Sequence, residues 1–488
     1  MRKMSLEDHK NKDYQNAINQ KEQTQLPVDR KPDTLFLYIS ITTAQLISIT
    51  FGASMVWISP VLGKLQLNDT EANPIGRPIT TLEISMLAGI PEFTNTLGIL
   101  LMPKLCDIIG RKRYLLFSGL VMLLAGAGLA FSNSVLLMII TRCLFGFSGA
   151  WTVVCLYVTE VCEDHNRGKF GCYFGIFHQL GHLFGFVIGP FFSVKIFTLI
   201  ITAPALLFVV IFTMAPETPI YLLVKGKEEE CKAALRRLRS NKSKEEIKLD
   251  LEKLKENQMK QKEQKGKLAD LIKKRESLLA VIFGLIPLLT KYLSGVTVIF
   301  TFLAPFFDTA GTSLSGDLVA IIIAVVKIIF FVLTSFVIER FGRRILFQIS
   351  SIGTAIPLFI LGTYFYLQSI NSSLLVQLDW IPLTCLLVTV CLYGLGLGPI
   401  PQLFISELPS ADLRAVTSSL VHSIGSSASF AMTFLYPIAS ESLGNQWCVW
   451  WFSVNCVVGA ILMYFFLPET KGKSFEDIQE MLKSNVKN

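Results

Sequence analysis

Asp107-Ile108-Ile109-Gly110-Arg111-Lys112 returns about 240 residues later as Glu339-Arg340-Phe341-Gly342-Arg343-Arg344. In both stretches an acid is followed three residues on by Gly and then by two basic residues. A second pair recurs at a similar distance: Pro216-Glu217-Thr218-Pro219 returns as Pro468-Glu469-Thr470-Lys471. A third does too, because Glu160 stands seven residues before Arg167 and Glu407 seven before Arg414. Each half of the chain therefore carries its acids and bases in one order, set between long apolar runs. That pattern predicts a duplicated, all-helical membrane bundle built from two like halves.

Composition excludes most rivals. With 51% hydrophobic and 17% charged residues over 488 positions, the chain is too apolar for a soluble globule and too long for one or two membrane passes. A helix needs roughly 20 apolar residues to cross the hydrocarbon core. Twelve such runs begin near Leu35, Glu83, Tyr114, Leu136, Lys169, Ile196, Leu278, Leu318, Ile345, Ile381, Leu413 and Trp447. All but six of the 45 Lys and Arg fall in the tails or in loops on one side; Lys64, Arg77 and Lys195 lie in opposite loops, and Arg142, Lys291 and Lys327 in spans. The positive-inside rule makes that side cytoplasmic, with both termini on it. The net charge of +8 then reflects topology and contact with anionic lipid, and nucleic acid is not an expected partner. Ten cysteines without a CxxC or a Cys/His cluster imply neither a disulfide lattice nor a metal site. The polar first 33 residues lack an apolar core of the kind a cleaved leader needs.

The runs divide the chain into a cytoplasmic tail (1–33), a six-helix half (34–214), a cytoplasmic helical linker (215–277), a second six-helix half (278–467) and a cytoplasmic tail (468–488). The linker is rich in Lys and Glu, with Leu235, Leu238, Leu249, Leu251 and Leu254 at helical intervals, which predicts short amphipathic helices. Two outer loops carry glycosylation sequons, at Asn68 and Asn371.

The chain resembles the sugar porters of the major facilitator superfamily, in the manner of the insect facilitated trehalose transporters, from about Leu35 to Ile478. The residues that carry the resemblance are Trp57-Ile-Ser-Pro60, the Asp107 signature, Arg142 with Gly146, Tyr157-Val-Thr-Glu160 with Arg167-Gly168, and Pro216-Glu-Thr-Pro219 with Leu222-Leu223 and Lys225-Gly-Lys227. Leu293-Ser-Gly295, Gly398-Pro-Ile-Pro401 and Pro468-Glu-Thr-Lys-Gly472 complete it. The resemblance implies a multi-pass plasma-membrane carrier, functional as a monomer, that moves a small polar solute of the trehalose or hexose class by alternating access and needs no cofactor. It also implies that Asp107, Arg111, Glu160, Arg167 and Glu217 form one gating cluster, and Glu339, Arg343, Glu407, Arg414 and Glu469 another. Surface ion pairs suit a gate, since each is worth about 1 kcal/mol or less and several can bias two states without locking them. Topological anchoring by basic loops is the competing reading, but it leaves the recurring acids unexplained.

Set against the family pattern, the solute grip is altered. A sugar needs donors and acceptors for each hydroxyl and an aromatic face for its ring. Gln179 is kept, whereas the paired Gln of the seventh span is Lys291-Tyr292, the following Asn is Thr297, and the Trp after Gly-Pro-Ile-Pro is Gln402. The Asn, Trp and Asn of the eleventh span align with Gly425, Ser426 and Ser429, while Pro103 and Cys155 depart from the loop and fourth-span motifs. Gln179, Lys291, Tyr292, Thr297 and Gln402 are thus the candidate solute ligands.

Glu92, Lys291 and Lys327 fall near the middle of spans, where a charge costs on the order of 3 kcal/mol and must be paired or face water. Either Lys291 meets an anionic or strongly polar solute while Glu92 binds a proton or counter-ion, or Glu92 neutralises one lysine as a fixed pair and the other snorkels. His178 and His182 add either a titrating group or packed, hydrogen-bonded rings. With no nucleophile elbow, P-loop or metal-ligand cluster, an enzyme is not expected. The alternatives to a sugar carrier are a carrier of an anionic or other non-sugar solute and a solute sensor without net flux.

Overall fold

A computed structural model of the chain describes residues 32–69, 71–163, 165–263, 275–311, 314–410, 413–466, 469 and 481, without the side chains at 103, 150–151, 172, 260–263, 275–276, 335–339, 376, 406 and 415. The first half consists of α1 (Leu35–Met55), α2 (Ile58–Leu65), α3 (Thr81–Ile109), α4 (Arg111–Ala130), α5 (Val135–Phe147), α6 (Ala150–Val161), α7 (Arg167–Ile188) and α8 (Val194–Phe212). Three linker helices follow: α9 (Pro219–Val224), α10 (Glu228–Leu238) and the longer α11 (Lys244–Glu263). The second half holds α12 (Arg275–Leu293), α13 (Val296–Thr301), α14 (Leu303–Asp308), α15 (Gly316–Phe341), α16 (Arg343–Ser369), α17 (Ile381–Leu392), α18 (Ile400–Glu407), α19 (Arg414–Leu443) and α20 (Asn445–Phe466). No strand occurs among the described residues.

These helices make twelve passes, because α1 with α2, α5 with α6, α12 with α13 and α14, and α17 with α18 are broken single spans. Every pass begins within three residues of its expected start. Ten passes are long and apolar enough to cross a membrane on composition. The seventh falls short because its apolar stretch is only Ser277–Leu293. The eleventh, α19, falls short because it carries eight serines and a histidine.

Breaks in membrane helices free backbone groups that water cannot reach, and side chains take them up. Between α5 and α6, the Ser148 carbonyl accepts from Tyr114 Oη (2.7 Å) and Ser118 Oγ (2.9 Å). A single wider turn at Tyr393–Leu397 breaks the tenth pass. There Ser350 Oγ donates to the Leu392 carbonyl (2.6 Å) and accepts from the Leu397 amide (2.7 Å), while Thr334 Oγ1 donates to the Gly394 carbonyl (2.7 Å). Where spans cross closely, glycine makes room: a Cβ on Gly52 would lie 2.3 Å from the His178 carbonyl oxygen, and one on Gly181 2.3 Å from that of Ile49, which fuses α1 to α7. The two halves meet along α3 against α19 and α7 against α15.

Candidate functional site

At the charged end, the repeated signatures are parts of one device used twice. Gly110 and Gly342 precede α4 and α16 with φ of +100° and +85°, a conformation that favours glycine. Each turns the chain so that the first amides of the next helix point at an acid. Glu217 Oε1 accepts from the backbone amides of Lys112 (2.9 Å) and Thr218 (3.0 Å). Glu469 accepts from those of Arg343 and Arg344, both at 3.0 Å. Those amides have no partner within the helix, and the helix dipole favours negative charge beside them. The second signature thus caps the helix that the first begins, which is why the two recur together. A Cβ at Gly110 would stand 2.3 Å from Glu217 Oε2, and one at Gly342 2.9 Å from Glu469 Oε2.

The arginine after each glycine reaches across its own half. Arg111 bonds Glu160 Oε1 through Nη2 (3.0 Å) and Nε (3.2 Å), and touches Asp107 at 3.0 Å. Glu160 also accepts from Thr218 Oγ1 at 2.5 Å. The counterpart is Arg343 with Glu407 at 3.3 Å. Arg167 and Arg414 open α7 and α19, directly after the loops that follow Glu160 and Glu407. The side chain of Glu339 lies outside the described residues. The two pairs differ in depth. The side chains of Arg111 and Glu160 are 9% and 8% exposed, those of Arg343 and Glu407 18% and 21%. The surface ion pair expected from the sequence is therefore, in the first half, a buried one.

The linker packs on the first half through a polar lattice that sequence reasoning did not anticipate. Lys242 bridges Glu163 (2.6 Å) and Asp250 (2.9 Å), and Arg239 bonds Asp250 at 2.5 Å. Thr34 Oγ1 donates to the Leu238 carbonyl (2.6 Å), and Asp33 accepts from Asn166 Nδ2 (2.6 Å). Burial opposes ionisation of Asp250, but the charge of Arg239 and the bonds from Lys242 and Arg239 outweigh it and hold the carboxyl below its ordinary value. Leu235, Leu238 and Leu251 are buried as an amphipathic pattern requires, whereas Leu249 is exposed.

At the opposite end the halves touch directly, the Ala304 amide donating to Ser59 Oγ at 2.9 Å. Lys64 closes the end of the fifth pass, donating to the carbonyls of Gly189 (2.6 Å) and Phe192 (2.5 Å). Asn68 and Asn371 are both exposed; Thr70, the hydroxyl of the first sequon, lies outside the described residues.

In the middle, polar groups converge from both halves. Asn95 Nδ2 on α3 lies 3.3 Å from Ser426 Oγ on α19. Lys327 Nζ on α15 stands 3.3 Å from His182 Nδ1 on α7 and 3.5 Å from the centre of the Phe300 ring. Arg142, fully buried, donates to the carbonyls of Leu87 (3.1 Å) and Ser54 (2.5 Å) and lies against Trp57, whose Nε1 donates to Thr198 Oγ1 at 2.9 Å. Glu92 is in the field of both Arg142 and Lys291. Among the described residues no ion pair within 4 Å joins Glu92 to either lysine. Gln179, Lys291, Tyr292, Thr297 and Gln402 are all half-buried, and Tyr292 packs on Gly425. Thr297 lies beside Tyr393, a neighbour the sequence did not single out.

Two like six-pass halves, each marked by a carboxylate-capped Gly-Arg turn and meeting at a polar centre where helices break, define a bundle of the major facilitator fold. The chain belongs to the family described as sugar (and other) transporter, whose profile matches residues 8–482. It is 27% identical over 464 residues to the facilitated trehalose transporter Tret1 of Polypedilum vanderplanki, covering 94% of this chain and 91% of that one. To Tret1 of Drosophila pseudoobscura pseudoobscura it is 26% identical over 462 residues, covering 94% of this chain but only 53% of the relative, so it spans about half of that protein's length. The inward-open structure of the E. coli xylose transporter XylE superposes with a TM-score of 0.75 at 20% identity, over 91% of this chain and 99% of that one.

Proposed function

We propose that the protein carries a small polar solute of the sugar class across the plasma membrane by alternating access, as a monomer with both termini cytoplasmic. The observation that carries this reading is that polar groups of both halves meet in the middle while each half is braced within itself at the charged end. They touch at the outer end through Ser59 and Ala304, and in the middle through Lys327 with His182 and Asn95 with Ser426. At the charged end, the Arg111–Glu160 and Arg343–Glu407 pairs each stay within one half. Each half is thus braced as a body that can rotate against the other, with the polar centre as pivot and solute site. Relatives named as trehalose transporters support the sugar class. Gln179, Lys291, Tyr292, Thr297 and Gln402 would line the solute, Glu92 would hold the compensating charge, and the two arginine clusters would set the balance between states.

The test is uptake of labelled trehalose and hexoses into liposomes holding the pure protein, with a cross-link at the outer contact. Ser59→Cys with Ala304→Cys should support uptake when reduced and lose it when oxidised, with recovery on adding a thiol. Saturable entry that persists through complete cross-linking would refute alternating access at this contact. No entry of any tested sugar would refute transport of trehalose and neutral hexoses.

A further inference from the structure

Positive charge in the middle of the bundle exceeds the acids there to answer it. Among the described residues the cations away from the span ends are Arg142, Lys291 and Lys327, and the acid is Glu92. Arg142 is met by two carbonyls, the face of Trp57 and the field of Glu92. Lys327 is met without a carboxylate: it donates to His182 Nδ1, which requires a neutral ring with its proton on Nε2, and it lies on the face of Phe300. Lys291 remains. No carboxylate stands within 4 Å of it among the described residues, and it lies 5.7 Å from the centre of its neighbour Tyr292's ring. Glu92 of α3, which it shares with Arg142, acts on it from beyond ion-pair distance, and its own charge acts on His178 of α7, His422 of α19 and Lys327 of α15, which puts the ammonium where the halves converge. A half-buried ammonium without a direct counter-charge in a membrane interior is unfavourable until an anion joins it.

Polar atoms on α7, the helix whose His178 lies in the field of Lys291, also lack partners. Gln179 Oε1 and His182 Nε2 are both buried with no hydrogen bond, one able to accept from a hydroxyl and the other, in the tautomer that Lys327 imposes, able to donate to an oxygen. We infer that Lys291 is a recognition cation and that the solute is an acidic sugar: a monosaccharide-sized polyol bearing one carboxylate, of the uronate class. One carboxylate fits better than a phosphate dianion because one ammonium is open while the other is already engaged by His182 and Phe300. The inference rests on the carrier reading above and narrows its substrate. Each uronate carried alone moves one negative charge across the membrane.

The experiment uses the full chain in liposomes, with labelled glucuronate, glucose and trehalose, and glucose 6-phosphate as a competitor. Expected are saturable glucuronate entry, acceleration by an inside-positive potential, and competition by other uronates. Lys291→Gln should lower kcat/KM for glucuronate relative to glucose by about tenfold or more, the worth of a charge-assisted bond. Lys291→Arg should keep the preference for the anion. The potential dependence and the competition series need no variant, so they decide the matter even if Lys291→Gln fails to fold. If glucose or trehalose enters while uronates neither enter nor compete, the inference falls and the carrier reading stands. If glucose 6-phosphate competes as well as glucuronate, the assignment of a single carboxylate is overturned. If no sugar of the panel enters, the carrier reading falls as well.

Discussion

Replacing Arg111 and, separately, Arg343 by Ala removes the same residue from two copies of one motif, yet the structure requires unequal consequences. Arg111 makes two bonds to a Glu160 whose side chain is 8% exposed, so its loss leaves a buried carboxylate held by Thr218 alone. Breaking a buried pair from one side costs about 3–5 kcal/mol, most of it the desolvation of the orphaned charge. The Thr218 hydroxyl brings the expectation to the lower end, about 3 kcal/mol. Arg343 makes one bond of 3.3 Å to a Glu407 that is 21% exposed, in the range where pairs contribute about 1 kcal/mol. The contact with Asp107 adds little, since that side chain is 67% exposed. Thermal unfolding in detergent should therefore move markedly for Arg111→Ala and slightly for Arg343→Ala. Adding Glu160→Gln to Arg111→Ala should restore most of the loss, because it removes the stranded charge and keeps a group that can accept from Thr218. Equal shifts from the two arginines, or a double variant no more stable than Arg111→Ala, would refute the assignment of the first pair as buried and the second as a surface contact.

Gly110→Ala and Gly342→Ala should both destabilise, by strain at positive φ with extended ψ of about 1–3 kcal/mol. The first should cost more, since its Cβ would meet Glu217 Oε2 at 2.3 Å against 2.9 Å for the second, and relative melting temperatures check the order. The linker lattice should be acid-labile. Asp250 is held below its ordinary 3.8 in the folded protein, so its contribution is complete above that value and is lost as the pH falls beneath it through the folded-state value. Protease cleavage of the linker should rise over that window, and Asp250→Asn should be cleaved readily at neutral pH.

Much of the fold was legible because membrane burial writes itself as apolar runs, and the duplication as recurring charges. The start of each pass followed from the apolar run, and the repeated Gly-Arg and Pro-Glu-Thr signatures lay where the two halves repeat a helix start. What the sequence concealed is that the signatures are one cap: Glu217 lies 105 positions from the Lys112 amide it accepts from, and nothing local links them. The linker lattice was hidden for the same reason, since Asp33, Glu163, Arg239 and Asp250 meet only once the chain is folded. Lys64 looked like a stray base in an outer loop, yet it closes the carbonyl end of a distant pass. In the middle, the short spacing of His178 and His182 signalled a shared face of α7. That Lys327 reaches His182 from the other half could not be read from spacing, because registers between separate spans leave no periodic trace.

The two passes that fail the apolar test are informative because they fail. A span that faces only lipid and packed neighbours can be wholly apolar, and α8 comes close to that, with a mean hydropathy of 2.5. The seventh pass is interrupted at Gly295 and Phe302 and carries Lys291, while α19 trades apolar side chains for serines and His422. Both therefore give up insertion energy, and only a side chain that serves the polar centre repays the loss. The same centre receives Glu92 and Asn95 from α3 and His178, Gln179 and His182 from α7, on helices that are otherwise adequate spans. Polar groups thus come to the centre from both halves, and the passes of the second half bear the larger departure from an apolar helix. On that argument we propose that the second half sets which solute is held, so that a search for specificity changes belongs first in α12, α13 and α19, before the glycine-fused contact of α1 with α7.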